Sequence, residues 1–282
     1  MILYLSAAAI FTLILTLTLL LLRMRHEARD VVLETVRIAN TENDIGLRIV
    51  QLSDIHIKNN RVPIENIITM IQGAAPDIVV LTGDYIDSYK DAALFLSWFR
   101  NLIDAIGGAP VYMCFGNHDF STFSRSPTLK NKLTKTLKQL GAYVLENRSH
   151  AFNHDGKLYA ITGFSDYHAA PYYDVRKIAS AAPKGAHYHI GISHNPDLAL
   201  DFDPNKPAPH LLLFGHFHGG QIRMPFHLEY TCLRKERLCQ IGIRCGLHAF
   251  RGRELYISRG LGCVMFPLRL GARPEVTLIL LP

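Results

Sequence analysis

The first 22 residues of the chain carry no charged side chain. At ~1.5 Å per residue a helix of that length reaches ~33 Å, enough to cross a hydrocarbon core of ~30 Å. Arginines follow at Arg23, Arg25 and Arg29. A cleaved secretory signal has its positive region before its apolar stretch. Here the order is reversed, which favours a retained anchor. The positive-inside rule then expects the N-terminus outside and the body of the protein in the cytoplasm. From residue 31 the pattern changes. Residues 31–39 alternate as a strand does. Residues 47–52, 77–81 and 111–115 are short apolar runs bounded by polar residues, the signature of buried strands. Between and after them, residues 63–73, 92–106 and 128–140 have helical periodicity. Pro63 stands at the start of the first and Gly73 at its end, while Gly107-Gly108 and Gly141 stop the other two. The second half is richer in strand, at 158–162, 187–192, 211–214, 254–258 and 276–281. There is no internal repeat and no low-complexity linker. The expected organisation is a transmembrane anchor over 1–22, a juxtamembrane segment with the first strand over 23–46, and one α/β domain over 47–282.

The residues just after the buried strands share a chemistry. They are Ser53-Asp54-Ile55-His56, Thr82-Gly83-Asp84, Gly116-Asn117-His118-Asp119, Ser193-His194-Asn195 and Gly215-His216-Phe217-His218. In α/β sheets, ligands sit outside the carboxyl ends of strands. One Asp or His after a strand is most often a turn or a helix cap. Five such blocks are hard to explain by folding alone, because burying so many ionisable groups is costly unless metals neutralise them. Asp54 with His56, and His216 with His218, stand at i and i+2. In an extended segment both members of such a pair point to one side and can grip one ion.

The blocks Asp-x-His, Gly-Asp, Gly-Asn-His-Asp, His and Gly-His-x-His occur in order between residues 54 and 218. In this the chain resembles the calcineurin-like metallophosphoesterase superfamily. The resemblance implies a four-layer αββα metallophosphoesterase sandwich, two packed sheets with helices outside, here preceded by an N-terminal transmembrane helix. It implies two divalent metal ions. Asp54, His56 and His218 would hold the first, Asn117, His194 and His216 the second, and Asp84 both. His118 would face the substrate phosphate, with Asp119 orienting it. Two closely spaced ions clamp a phosphate and make water a better nucleophile. Oxygen and imidazole donors without thiolate suit Mn²⁺, Fe or Zn²⁺, and Mn²⁺ is favoured. Asp87 is expected to hydrogen-bond rather than bind metal. Asp166 is divided between a turn role and support of a ligating histidine. Arg259 and Arg273 are divided between phosphate contacts and surface ion pairs.

Composition adds three points. Apolar residues are 49% of the chain and charged ones 19%, which excludes a disordered chain and allows a large core. The five cysteines are odd in number and fit a reducing compartment better than a disulfide framework. Cys232, Cys239 and Cys245 cluster without zinc-ribbon spacing, in a stretch that has no evident counterpart in the family and stands to shape the pocket rim. The net charge of +6 favours anionic surroundings. Nucleic acid is disfavoured by the anchor and by the lack of a basic stripe interleaved with aromatics. The tail from Ser258-Arg259-Gly260 to Glu275 resembles bacterial membrane-anchored or exported members of the superfamily, one of which is a UDP-2,3-diacylglucosamine pyrophosphatase. The resulting expectation is a membrane hydrolase of lipid-linked phosphodiesters or pyrophosphates. A broad phosphodiesterase on nucleotides or envelope polymers is the alternative, and a metal-dead binding scaffold is the reading from another class.

Overall fold

The computed structural model describes residues 2–38 and 45–282. Ala39, the end of the first expected strand, lies outside the described residues.

Helix α1 spans Ile2–Glu27. Residues 6–22 are exposed along their whole length, and the helix is long and apolar enough to cross a membrane. Burial begins at Glu27 and Ala28, where the helix meets the rest of the chain. The remaining elements in chain order are β1 Val32–Arg37, β2 Leu47–Leu52, α2 Ile64–Ala74, β3 Ile78–Thr82, α3 Ala92–Ala105 and β4 Val111–Cys114. Then come α4 Asn117–Arg125, α5 Pro127–Gln139, β5 Ala142–Val144, β6 Arg148–His154, β7 Lys157–Gly163, α6 Val175–Ser180 and β8 Tyr188–Ile192. The chain ends with β9 Leu211–Phe214, α7 Leu228–Thr231, α8 Arg237–Gln240, β10 Gly246–Phe250, β11 Arg253–Ile257 and β12 Glu275–Leu281.

The strands form two six-stranded sheets, ordered β1-β12-β2-β3-β4-β5 and β10-β11-β9-β8-β7-β6. Strands β2 to β5 run parallel, as do β11, β9, β8 and β7. The apolar runs are continuous because both faces of each sheet are covered. In β2, Leu47 and Ile49 pack between the sheets, while Val50 and Leu52 face the outer helices. Strand β9 does the same, with Leu211 and Leu213 inside and Leu212 and Phe214 outside. Helices α2 to α5 cover the first sheet with residues such as Ile67, Phe95, Phe123 and Leu137. Helix α6, the turn at Leu198 and the segment around Tyr230 and Leu238 cover the second. The result is an αββα sandwich.

Two local departures have physical causes. Gly73 does not end α2. The helix runs on because Ile71 and Ala74 are buried, and Ala75 takes the left-handed closing position at φ 45°. The Gly116–Asp119 block, outside the segments with helical periodicity, opens helix α4 at Asn117, with the Asp119 carboxylate accepting the Gly116 N–H.

One buried cation stitches the C-terminal loops together. The Arg269 guanidinium is fully buried and donates to the carbonyls of His218, Arg259, Gly260, Gly262 and Ala272. Removing the donor strands these acceptors away from water, at roughly 1–3 kcal/mol for an unsatisfied buried group. Arg269→Met is therefore expected to lower the unfolding free energy of the full chain in detergent micelles by ~3 kcal/mol. An unchanged urea midpoint would show that these contacts carry no stability.

Candidate metal centre

The blocks after β2, β3, β4, β8 and β9 meet at one end of the sandwich. Three groups of side chains there could hold a metal ion, with ligand atoms within 4.8 Å of one another: Asp54, His56 and His218; His56, Asp84 and His118; Asp84, His194 and His216. No cysteine belongs to these groups, which cover the described residues. Asp84 connects the second group to the third. Its Oδ2 lies 3.0 Å from His194 Nε2 and 3.6 Å from His56 Nε2. Asp54 Oδ1 lies 3.1 Å from His218 Nε2 and 3.9 Å from His194 Nε2. Asp54, His56 and His194 are fully buried, and Asp84 and His218 nearly so.

The backbone that presents them is not extended. Asp54, His56, Asp84, His216 and His218 have φ of 50°, 38°, 56°, 74° and 52°. Left-handed conformations are costly for non-glycine residues and concentrate at functional sites. The expectation that His216 and His218 share one side of a strand therefore fails. In the coiled loop their rings diverge, His218 to Asp54 and His216 to His194, whose Nε2 is 3.3 Å from His216 Nδ1.

Three imidazoles are held from behind. His56 Nδ1 is 3.0 Å from Asp87, His194 Nδ1 is 2.7 Å from the Thr82 carbonyl, and His216 Nε2 is 2.7 Å from Glu236. Each thus turns its other nitrogen into the cluster, as metal-binding histidines do when an outer carboxylate or carbonyl fixes the tautomer. Burial pushes the His216 ring down, and it pushes His218 to about 4 although Asp54 pulls the other way. Neutral imidazoles are the form that binds metal. His194 departs from this: burial lowers it too, but the Asp84 charge and hydrogen bond outweigh burial and raise the ring to about 10, a proton that a metal ion would have to displace. Among the described residues, the buried side-chain atoms without a hydrogen-bond partner include His56 Nε2, Asn117 Oδ1 and His218 Nδ1, all on motif residues. Buried polar groups in folded proteins are normally paired. Two carboxylates and four imidazoles around one space, with an unpartnered Asn117 amide oxygen in the first turn of α4 next to His118, fit a pair of divalent ions.

Asp119 does not orient the His118 ring. Its carboxylate accepts the backbone N–H groups of Gly116, Asp84, Tyr85 and Ile86 at 2.9–3.1 Å. It closes the first turn of α4 and pins the loop that carries Asp84. Asp87 holds His118 instead, at 2.7 Å from Nδ1. Burial lowers the His118 ring, but the Asp87 hydrogen bond and the charges of Asp84 and Asp87 outweigh it and raise the ring to about 9. Two glycines allow the crowding. A Cβ on Gly116 would stand 2.2 Å from Asp84 Oδ1, and one on Gly215 would stand 2.3 Å from Asp54 Oδ2.

The other candidates fall outside the cluster. Asp166 accepts the N–H groups of His168 and Ala169, a turn role. Arg259 pairs with Glu34 and Glu275, and Arg273 with Asp30. Two residues that no motif marks do reach the site. Glu236 holds His216, and Arg234 donates to the His216 carbonyl at 3.0 Å. A cleft of about 650 Å³ opens over the cluster. Asp84, His118, His216 and His218 line it together with the apolar Ile222, Met224, Leu233, Val264, Met265 and Phe266 and the charged Glu229, Arg234, Lys235 and Glu236.

Residues 47–220 match the calcineurin-like phosphoesterase family. The chain is 30% identical over 279 residues to the uncharacterized metallophosphoesterase YkoQ of Bacillus subtilis, covering 95% of this chain and 98% of that protein. It is 31% identical over 244 residues to the phosphodiesterase YaeI of Escherichia coli, covering 84% and 83%. It is 26% identical over 264 residues to the UDP-2,3-diacylglucosamine pyrophosphatase LpxG of Chlamydia muridarum, covering 77% and 78%.

The two neighbouring carboxylates are separable by mutation. Asp87→Ala is expected to weaken metal binding or turnover about 10–100-fold, the usual cost of losing an outer partner, with little change in the thermal midpoint. Asp119→Ala is expected to lower that midpoint, because four buried N–H groups lose their acceptor. Calorimetry beside turnover checks this, and a midpoint lowered by Asp87→Ala but not by Asp119→Ala would reverse the assignment.

Proposed function

The chain belongs to the calcineurin-like phosphoesterase family and is a hydrolase of that class, and from this we propose that it is a membrane-anchored enzyme that uses two divalent ions to cleave phosphodiester or pyrophosphate bonds in lipid-linked substrates. The observation that carries the proposal is the buried Asp84 carboxylate between the His56 and His194 rings, with the unpartnered His56 Nε2 beside it. In this reading Asp54, His56 and His218 hold one ion, Asn117, His194 and His216 the other, and Asp84 both. Mn²⁺ is the preferred metal, with Fe and Zn²⁺ compatible with the same donors. When bound, such a pair supplies Lewis-acid polarisation of the phosphoryl group and makes water a competent nucleophile near neutral pH.

The chain's own residues do the rest. Asp87, the Thr82 carbonyl and Glu236 fix the rings before substrate arrives. His118, anchored through Nδ1, keeps Nε2 for the substrate. Raised to about 9, it is protonated at neutral pH and can donate to a phosphate oxygen or to the leaving oxygen. General acid catalysis of this kind contributes ~10²–10⁴-fold. It is lost as pH rises through that value, so the alkaline limb of the rate profile belongs to His118 in this account.

The lipid part of the proposal draws on two supports. Helix α1 is long and apolar enough to hold the domain at a bilayer, and six apolar side chains line the cleft beside the polar ones: Ile222, Met224, Leu233, Val264, Met265 and Phe266. The LpxG relatives, by their name, act on UDP-2,3-diacylglucosamine, which makes a nucleotide joined through pyrophosphate to an acylated sugar the natural test substrate. Arg23, Arg25 and Arg29 beside the apolar stretch favour a cytoplasmic catalytic domain.

The test is hydrolysis by the purified full chain in detergent micelles with Mn²⁺, offering bis-p-nitrophenyl phosphate and a UDP-linked acyl sugar in parallel. The proposal expects cleavage of the acyl sugar that is abolished by Asp84→Ala or by chelation and restored by Mn²⁺. Cleavage of the diester alone would move the assignment to a broad phosphodiesterase. No hydrolysis of any phosphate substrate by the metal-loaded chain would return it to a binding scaffold.

A further inference from the structure

We propose that the mouth of the cleft is a second membrane contact: Phe226, Leu233, Met265 and Phe266 rest in the headgroup layer of the bilayer that α1 spans, and a phosphate-bearing lipid enters the cleft from that layer. The docking rests on α1 as an anchor. Only the entry of lipid rests on the function proposed above.

There is no slack between anchor and domain. The charge-free run ends at Leu22. Met24 and Glu27 lie two and five residues beyond it, or ~3 and ~7.5 Å along the helix. The Met24 carbonyl accepts the Arg269 N–H at 3.1 Å, and the Glu27 carboxylate accepts the Gly271 N–H at 2.6 Å. The headgroup region is only ~5–7 Å deep on each side of the hydrocarbon. Residues 269–271 are therefore held at headgroup level. Phe266 is three residues from Arg269, so their Cα atoms are within ~11 Å. The link is also rigid. Leu270 exchanges backbone hydrogen bonds with Gln221 and Arg223 at 2.9 Å, and the Gln221 amide bonds both the N–H and the carbonyl of Val264, at 2.8 and 3.1 Å. The plate so formed faces the cleft through Ile222 and Val264.

Large apolar side chains of the cleft lining are turned outward: relative exposure is 78% for Met265, 72% for Leu233 and 63% for Phe266, and Phe226, two residues beyond the lining residue Met224, is 91% exposed. Single exposed apolar residues are ordinary, but a group around one opening marks an interaction surface. Phe226 and Met265 also hold left-handed backbone, φ 57° and 61°, a conformation unfavourable for large side chains. Arg25, Arg29, Arg223 and Lys235 are exposed on the neighbouring segments. Apolar side chains flanked by basic ones are the chemistry of an anionic bilayer surface, and α1 brings a bilayer to the place.

The test places tryptophan on the rim of the full chain in lipid nanodiscs containing anionic lipid. Phe226→Trp and Phe266→Trp are compared with Tyr143→Trp, an exposed position on the edge strand β5, and with the parent chain, whose own Trp98 is buried. In discs of lipid brominated near the glycerol, the rim tryptophans are expected to lose roughly half of their emission, and the control and parent almost none. Equal quenching at rim and control overturns the docking, whatever the substrate. Phe226→Asp is then expected to lower the ratio of disc-borne acyl-pyrophosphate cleavage to soluble diester cleavage about tenfold. Rim quenching with an unchanged ratio keeps the docking and overturns entry from the bilayer.

Discussion

The carboxylate of Asp84 is almost wholly buried at the floor of the cleft, 3.0 Å from one imidazole and 3.6 Å from another. A buried anion is tolerable only where paired charges or ions and hydrogen bonds replace its hydration. Much of the surrounding structure serves that requirement. Asp119 grips the backbone of Asp84, Tyr85 and Ile86, the His118 N–H donates to Asp84 Oδ1 at 2.8 Å, and Gly116 leaves room for that oxygen. The partners come from both sheets, so the sheets must keep a fixed spacing. Gln51, buried between them, donates to Thr82 Oγ1 at 3.0 Å and to the Phe214 carbonyl at 2.8 Å. It ties the strand before Asp84 to the strand before His216.

The same end of the sandwich is tied to the anchor. Arg269 spans from the His218 carbonyl to the loop at Gly260–Gly262, and its own backbone meets Met24 of α1. The candidate metal centre, part of the apolar lining of the cleft and the end of helix α1 thus belong to one hydrogen-bonded block. A domain joined through a flexible linker would have no reason for this arrangement. The arrangement suits the hydrolysis proposed above, in which the reacting group of a bilayer-borne molecule has to sit at a set height above the hydrocarbon.

How far the sequence spoke for the structure depended on what each residue had to do. Strands buried on both faces, such as residues 47–52 and 211–214, are legible because a continuous apolar run of that length has few other uses. Strands β6 and β10 escape notice because they are sheet edges, half-exposed and mixed in polarity. Helix α4 is hidden because its first turn is the Gly116–Asp119 motif itself. The clustering of Asp, His and Asn at strand ends is visible in the residue order, but its backbone is not. Left-handed conformation at Asp54, His56 and His216 is enforced by tertiary contacts rather than by residue type, so spacing arguments based on strands mislead there. Asp87 hydrogen-bonds as expected, but it holds the His118 ring that Asp119 was expected to orient, since only the fold decides which carboxylate meets an N–H and which meets a ring. Glu236 could not be found at all. It sits in a stretch notable only for its cysteines and reaches His216 from 20 residues away in the chain.

The central claim is that Asp84 joins two metal sites into one. The most direct measurement is a Mn²⁺ titration of the metal-free full chain followed by electron paramagnetic resonance. The account predicts binding that saturates at two ions per chain with the signal of an exchange-coupled pair, replaced in Asp84→Ala by that of isolated Mn²⁺. A single uncoupled ion per chain at saturation, unaffected by Asp84→Ala, would contradict it.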